Sequence, residues 1–317
     1  MGKGNISEKF LLPKIPNDWF LFSLMWPFGA FIRVMRNFRG QYAQTIFWLF
    51  CVYFGFTFFY GDLTELEGAD SIRYAKELKY FHDKSFSFSQ LFGMLYNPSY
   101  GYTDVYQPLV TWFVALFTDN PRWLFTFFAA IYGFFYTKNL WFIFNKIDNK
   151  KRIGILLFIF IMGYALSLPI WYINGVRMWT AVQVYIFGLL SIYLNDNKKG
   201  YIWVVVSILF HWSLMLPVVI LLVFKYVPKN LMGLIIFFFS GALISEVDLM
   251  AVQNNLSFLP EIFQTKVSAY TNEAYAESTN LASNALAWHV LLAGFFGKWV
   301  MFIWVFVLYY YRRDWVP

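Results

Sequence analysis

Two uncharged runs decide the fold of this chain: IGILLFIFIMGYALSLPIWYI at residues 153–173 and MWTAVQVYIFGLLSIYL at residues 178–194. The first run has 21 residues and the second has 17. A helix of about 20 apolar residues spans the hydrocarbon core of a bilayer. Four residues, NGVR at 174–177, separate the two runs. The pattern therefore predicts two transmembrane helices joined by a short turn that carries one arginine.

The composition indicates the same class of protein for the whole chain. Apolar residues make up 59% of the sequence and charged residues only 14%, compared with about 25% charged residues in a soluble domain. A soluble globule cannot cover so much apolar surface, and a disordered chain is polar and poor in aromatic residues. The single cysteine excludes a disulfide scaffold. The sequence therefore predicts an all-α, polytopic helical membrane protein.

Further apolar segments extend this prediction along the chain. Five of them are candidate membrane helices: residues 43–60, 123–145, 201–224, 231–245 and 287–311. Two shorter segments, 19–32 and 108–118, predict interfacial or partly inserted helices. The sequence thus predicts a single transmembrane domain over residues 1–317 with about 7–10 membrane helices, some of them partly inserted or re-entrant.

The positions of lysine and arginine predict the orientation, because these residues concentrate on the cytoplasmic side of a membrane. Arg33, Arg36 and Arg39 precede the span at residues 43–60, so that span begins in the cytoplasm. Most of the net charge of +7 then forms a cytoplasmic collar, and no nucleic-acid partner is expected. The same orientation makes residues 1–42 a cytoplasmic or interfacial segment and makes residues 61–107 and 246–286 external loops.

Residues 201–224 allow two topologies. They are long enough for one tilted span, or they form a re-entrant hairpin that breaks near His211 and Trp212 or at Pro217. The hairpin places more lysine and arginine on the cytoplasmic side and more acidic residues outside. The charge distribution therefore favours the hairpin.

Asp70 is the first polar residue with a candidate role, and it lies in the first predicted external loop. In a helix, Asp70 and Tyr74 share one face because they are four residues apart. A carboxylate there would orient or deprotonate an acceptor hydroxyl. The alternative is structural, because an aspartate after Gly68 and Ala69 is also a plausible start of a helix.

Arg177 is the second candidate, at the junction of two apolar runs. Its guanidinium stays charged and forms planar, paired hydrogen bonds with phosphate oxygens. An arginine at the outer mouth of two helices would hold the diphosphate of a lipid carrier. The alternative is a loop arginine that touches lipid headgroups.

Further polar groups lie inside or beside apolar runs, where they are costly and mark candidate sites. His211 would act as a general base or phosphate ligand, or be a satisfied buried side chain. Lys298 lies near the middle of the last span, where it pairs with an acid such as Glu246 or faces a wet cavity. His289 fits an interfacial position best.

The remaining external cations are Arg73, Arg122 and Lys266, which either contact an anionic carrier or are solvated loop charges. The chain has no Walker loop, HExxH motif or CxxC motif. Its three histidines are far apart, so neither a transition-metal site nor a cofactor is expected.

Three motifs, taken in order, resemble the EpsG/Wzy-type polysaccharide polymerases of bacterial envelopes. They are GADSIRY at residues 68–74, NGVR at residues 174–177 with Ala181 after it, and LFHWS at residues 209–213. The resemblance covers roughly residues 43–224. Two positions depart from the family pattern: Met178 stands where the family usually has glutamine, and Gln107 stands before Pro108 where a glutamate is expected.

The resemblance implies a function and an architecture. Such enzymes transfer a glycan from one polyprenyl-diphosphate-linked repeat unit to another at the outer face of the bacterial cytoplasmic membrane. A multi-pass architecture similar to membrane GT-C glycosyltransferases would follow, with the site facing outward. The implied substrates are a lipid-linked oligosaccharide donor and acceptor. A flippase and a chain-length regulator of the same pathway would be partners.

The resemblance and the residue chemistry together assign roles. Arg177 would bind the donor diphosphate and stabilise the leaving group. Asp70 or His211 would accept the proton of the attacking sugar hydroxyl, and the sequence leaves these two open. Further contacts to the diphosphate or the sugar would come from Arg73, Tyr74, Asn174, Arg122 and Lys298.

Two other functions remain open from the sequence. A membrane O-acyltransferase would use His211 or His289 and would form esters without chain growth. A flippase or transporter of lipid-linked glycans would need charges along a path across the bilayer. Within the predicted spans, charge is limited to Lys138 and Lys298, so the flippase ranks below the polymerase.

Overall fold

The computed structural model describes residues 12–59, 70–95, 97, 100–145, 170–226 and 264. The chain divides into two compact units, Met1–Gly233 and Leu234–Pro317. The second unit has one described residue, Gln264, so the helices below all belong to the first. The single domain over the whole chain stays a prediction.

The first unit is built from α-helices, and no β-strand occurs in the described ranges. The prediction of an all-α fold is confirmed for this part of the chain. The helices are α1 Asn17–Met25, α2 Pro27–Arg36, α3 Ala43–Phe58, α4 Asp70–Lys84, α5 Phe88–Met94, α6 Tyr106–Ala115, α7 Pro121–Phe144, α8 Val176–Asn195, α9 Gly200–Phe210 and α10 Met215–Tyr226. Two 3-10 helices, Ile170–Gly175 and Trp212–Leu214, precede α8 and α10 respectively.

The apolar helices agree with a membrane protein. Within the described ranges, one helical stretch, Tyr172–Asn195, is long and apolar enough to cross a membrane, and it contains α8. Shorter apolar helices are Ala43–Phe58, Gly200–Phe210 and Trp212–Val223. The predicted spans 231–245 and 287–311, and most of 153–173, lie outside the described residues.

The predicted short segment at residues 19–32 forms two helices, because the chain breaks at Trp26 between α1 and α2. Pro27 lies at the start of α2, the one place in a helix where its missing N–H group has no cost. The other short segment, 108–118, corresponds to α6. Both segments therefore contain helices too short to cross a bilayer.

α3 and α7 pack side by side and form the frame of the unit. They approach closely because glycines lie at their contact. A Cβ atom on Gly55 would lie 2.5 Å from the carbonyl oxygen of Phe125, and one on Gly133 would lie 2.5 Å from the Cβ of Cys51. Small residues at such contacts let helix backbones gain van der Waals packing, which drives helix association in lipid.

α4 packs against this frame and against α6 with an apolar face. Its Leu78 and Phe81 are buried, and the ring of Tyr74 lies 5.9 Å from that of Phe128. Residues three, four and seven apart share a helix face. Burial of one face therefore fixes the direction in which the polar residues of α4 project.

Residues 201–224 fold as two antiparallel helices, α9 and α10, rather than as one helix. The Nζ of Lys225, near the end of α10, lies 4.6 Å from the ring centre of Tyr201, at the start of α9. Val204 and Leu221 belong to one buried apolar cluster. The bend occurs at His211, which ends α9 and begins the following 3-10 turn.

The tight contact between α3 and α7 predicts that Gly55→Ala destabilises the protein. The new methyl group would collide with the Phe125 backbone, and overpacking of this kind costs about 1–3 kcal/mol. Thermal unfolding in detergent should show a lower midpoint. The matched control is Gly93→Ala in α5, where an added Cβ meets no atom within 4 Å. An equal midpoint for the two variants would contradict the proposed packing.

Candidate functional site

A buried ion pair lies at the start of α8. Nη1 of Arg177 is 3.3 Å from Oδ2 of Asp104. The side chain of Asp104 is 1% exposed and that of Arg177 is 21% exposed. The other carboxylate oxygen, Oδ1, accepts a hydrogen bond of 2.7 Å from the Thr103 hydroxyl. Removing two charges from water is costly, so each partner depends on the other for compensation.

The polar face of α4 lies beside this pair. Asp70 begins the helix, and its Oδ1 is 2.8 Å from Nη2 of Arg73. Arg73 also lies 3.5 Å from the hydroxyl of Tyr74. The guanidinium of Arg177 also interacts electrostatically with that hydroxyl. Tyr74 therefore connects the exposed Asp70–Arg73 pair with the buried arginine.

Asn174 fixes the start of α4 from another part of the chain. Its Oδ1 accepts a hydrogen bond of 3.1 Å from the backbone N–H of Ser71. The first N–H groups of a helix have no partner within the helix, and a side-chain oxygen normally satisfies one of them. The motif NGVR therefore contacts α4 through its asparagine and through its arginine.

A second carboxylate lies further along the same face of α4. Oε1 of Glu77 accepts a hydrogen bond of 2.6 Å from the hydroxyl of Tyr102. Oε2 accepts one of 3.0 Å from Nε2 of Gln107, which lies 3.0 Å from the Thr111 hydroxyl as well. Gln107, which departs from the family pattern, thus acts as a donor to an acid elsewhere in the chain.

The protein environment shifts the pKa values of the titratable side chains around Glu77. Burial raises the pKa of the Glu77 carboxyl, while the two hydrogen bonds and the charges of Arg73 and Arg177 act in the opposite direction. Burial also raises the pKa of Tyr74, against the positive charge of Arg177. Burial and the neighbouring Glu77 raise the pKa of Tyr102. Glu77 therefore binds a proton more readily than a solvated glutamate.

His211 lies at the bend next to the loop that holds Asp104. Its Nδ1 lies 2.7 Å from the Ser213 hydroxyl and accepts from the Ser213 backbone N–H at 3.3 Å. The backbone N–H of Val105 donates to the carbonyl of Leu209 at 3.0 Å. The bend at His211 is thus attached to the segment directly after the buried acid.

The structure brings five of the predicted residues together: Asp70, Arg73, Tyr74, Asn174 and Arg177. Arg122 is exposed at the start of α7, where its backbone N–H is capped by Asn120. Lys298, His289 and Lys266 lie outside the described residues. Their predicted roles stay predictions.

Two acids of the site were not recognised as candidates from the sequence, Asp104 and Glu77. For each acid, its position in the sequence indicates a place near the site. Glu77 follows Asp70 by seven residues and so shares its helix face. Asp104 precedes the Gln107-Pro108 pair, close to where the family pattern has an acid. Their position in the segment 61–107 alone predicts only external loop charges.

In the ranges that the structure describes, no three His, Cys, Asp or Glu side chains form a group able to hold a metal ion. The acids of the site contact arginine, hydroxyl and amide donors instead.

The fold and this polar cluster define a helical membrane protein with a buried ion pair at the end of an apolar helix. The family model of the EpsG family matches residues 46–315. The chain therefore belongs to the EpsG family, a family of polysaccharide polymerase-like proteins. Comparison with curated proteins and with solved structures gave no match.

The buried pair predicts that Asp104→Asn lowers stability more than Asp70→Asn. The first change leaves a largely buried arginine without its counter-charge, which costs several kcal/mol in a fully buried pair and about 2 kcal/mol or more here. The second change breaks an exposed pair, worth about 0–1 kcal/mol. Thermal unfolding of the two variants measures the difference. Equal losses would show that burial of the Arg177–Asp104 pair does not control stability.

The cap on α4 predicts a local effect of Asn174→Ala. Loss of the side-chain oxygen should cost about 1 kcal/mol and loosen the first turn of α4. Hydrogen exchange measured by mass spectrometry should therefore be faster in peptides covering residues 70–77. Asn174→Asp retains an acceptor oxygen and should exchange like the wild type. Unchanged exchange in the alanine variant would show that Asn174 does not stabilise the first turn of α4.

Proposed function

We propose that this protein polymerises polyprenyl-diphosphate-linked oligosaccharide repeat units. It transfers the glycan of one lipid-linked unit to another at the outer face of the bacterial cytoplasmic membrane. The observation that carries the proposal is the Arg177–Asp104 pair, which holds a charged guanidinium where α8 begins. Membership of the EpsG family supports the same reaction class.

Arg177 is suited to the donor diphosphate for three reasons. Its side chain is one-fifth exposed, so part of it remains accessible to a ligand. It lies in the first turn of α8, where the helix dipole favours negative charge. Asp104 and Thr103 orient the group before the substrate arrives. Preorganised donors of this kind stabilise the charge that develops on a leaving group.

The acceptor binds beside α4 in this proposal. Arg73 and Asn174 are exposed near Arg177 and would bind sugar hydroxyls or phosphate oxygens. Tyr74, the third contact predicted from the sequence, is buried and would hold Arg73 beside the site. Arg122 and Lys298 are the further contacts predicted from the sequence, the first in an external segment and the second near the middle of the last predicted span. The proton of the attacking hydroxyl goes to a carboxylate or imidazole, for which Asp70 and His211 are the residues predicted from the sequence.

The proposal includes an architecture and partners. The α9–α10 hairpin is a re-entrant element that brings the His211 bend toward the outer face, in an arrangement similar to GT-C glycosyltransferases. The reaction requires neither a metal nor a cofactor. A flippase supplies the lipid-linked units, and a chain-length regulator acts on the growing polymer.

The proposal predicts that Arg177→Lys abolishes polymer formation. Lysine retains the positive charge that compensates Asp104 but lacks the planar fork, so the rate should fall by about 100-fold or more. The assay uses purified protein in liposomes with labelled lipid-linked repeat units, and a ladder of chain lengths is measured. Lys79→Gln, a change on the exposed surface of α4, is the control with expected wild-type activity.

The same assay distinguishes the other candidate functions. Ester formation without chain growth would select the membrane O-acyltransferase. Movement of lipid-linked glycan across the bilayer without chain growth would select the flippase. A full polymer ladder from folded Arg177→Lys would remove this arginine from the mechanism.

A further inference from the structure

We infer that Glu77, rather than Asp70 or His211, accepts the proton of the attacking sugar hydroxyl. This inference rests on the proposed function and names a further catalytic residue for it. Glu77 stands three residues after Tyr74 and seven after Asp70, so it lies on the face of α4 that meets Arg177 through Tyr74. The positive charge of Arg177 acts on the Glu77 carboxyl as well, so the base and the diphosphate ligand belong to one site.

The carboxylate of Glu77 is held in place and remains available. Tyr102 donates to Oε1 and Gln107 donates to Oε2, so the position of both oxygens is defined. Each carboxylate oxygen accepts up to two hydrogen bonds, which leaves capacity for a sugar hydroxyl. The carboxylate is surrounded mostly by protein, but Glu77 retains some exposed surface, and the inference places the sugar hydroxyl there.

Asp70 and His211, the other two candidates for the proton acceptor, have different contacts from Glu77. Asp70 contacts the guanidinium of Arg73 directly, and both side chains are largely exposed to solvent. The Asp70 carboxylate is therefore already paired with a cation. Nδ1 of His211 contacts the hydroxyl and backbone N–H of Ser213. The two donors to Glu77, in contrast, are both neutral.

The electrostatic surroundings of Glu77 support this role. Tyr102 faces it from the loop before α6, Gln107 from α6, Arg73 from its own helix and Arg177 from α8. These groups lower the pKa of Glu77, but the effect of burial is larger, so the pKa is raised. A general base is most effective when its pKa approaches the working pH, so the shift favours proton transfer.

The reaction step balances with the groups named. The oxygen of the acceptor hydroxyl forms a bond to the anomeric carbon of the donor, and its proton moves to an oxygen of Glu77. The bond from the anomeric carbon to the diphosphate oxygen breaks, and the electron pair leaves with the diphosphate. Arg177 stabilises that negative charge. Glu77 then releases its proton to water.

The test is the pH profile of polymer formation in liposomes. For the wild type, the rate should fall as pH decreases through the raised pKa of Glu77, above the ordinary value of 4.5. Glu77→Gln should lower the rate by about 100-fold and remove this acid limb. Tyr102→Phe removes a hydrogen bond that lowers the pKa of Glu77, so its limb should move to higher pH. Asp70→Asn should leave the limb in place.

Each outcome decides the inference. If Glu77→Gln retains its rate and acid limb, the base is another residue, while the polymerase function stands. If the wild type forms no polymer, both the function and the inference are overturned. If Glu77→Gln unfolds, the pH profile of Tyr102→Phe tests the inference instead. A purely structural Glu77 would leave the acid limb of that profile at the wild-type pH. Glu77→Asp should restore part of the rate together with an acid limb.

Discussion

The buried pair of Arg177 and Asp104 is the interaction on which the rest of the site depends. A guanidinium cannot be neutralised by losing its proton, so the fold must supply a counter-charge where α8 begins. Asp104 supplies it from the loop before α6. The next residue, Val105, is bonded to Leu209, and Tyr74 joins α4 to the same guanidinium. One charge compensation therefore assembles four separate parts of the chain.

The helical frame allows this assembly because it is closely packed. Gly188 in α8 and Gly200 in α9 touch so closely that a Cβ on Gly188 would lie 2.8 Å from the Gly200 carbonyl oxygen. α9 then packs along α8 and ends at His211, and the 3-10 turn that follows His211 also contacts α8. The length of α9, 11 residues or about 16 Å, sets the level of the bend relative to Arg177. Packing at one end of the helices therefore positions the site at the other.

The sequence predicts those features that depend on local pattern. The apolar run 178–194 became α8, Val176–Asn195, and the charge distribution favoured the bend that the structure has at His211. The motifs also identified residues that the fold brings together. Glu77 was missed because its significance depends on contacts with Tyr102 and Gln107, which are distant in sequence. The helical period places Glu77 on the same face as Asp70, but it does not encode contacts with residues 25 and 30 positions away.

Asp104 and Glu77 differ in the donors that contact them, and this difference separates two tasks. Asp104 faces a permanent positive charge and a hydroxyl, so its carboxylate is committed to holding Arg177. Glu77 accepts hydrogen bonds only from neutral groups, and burial raises its pKa. A site that transfers a glycan must keep one charge fixed for the diphosphate and must also accept a proton. Environments that separate the behaviour of neighbouring carboxylates are the usual way to meet both demands.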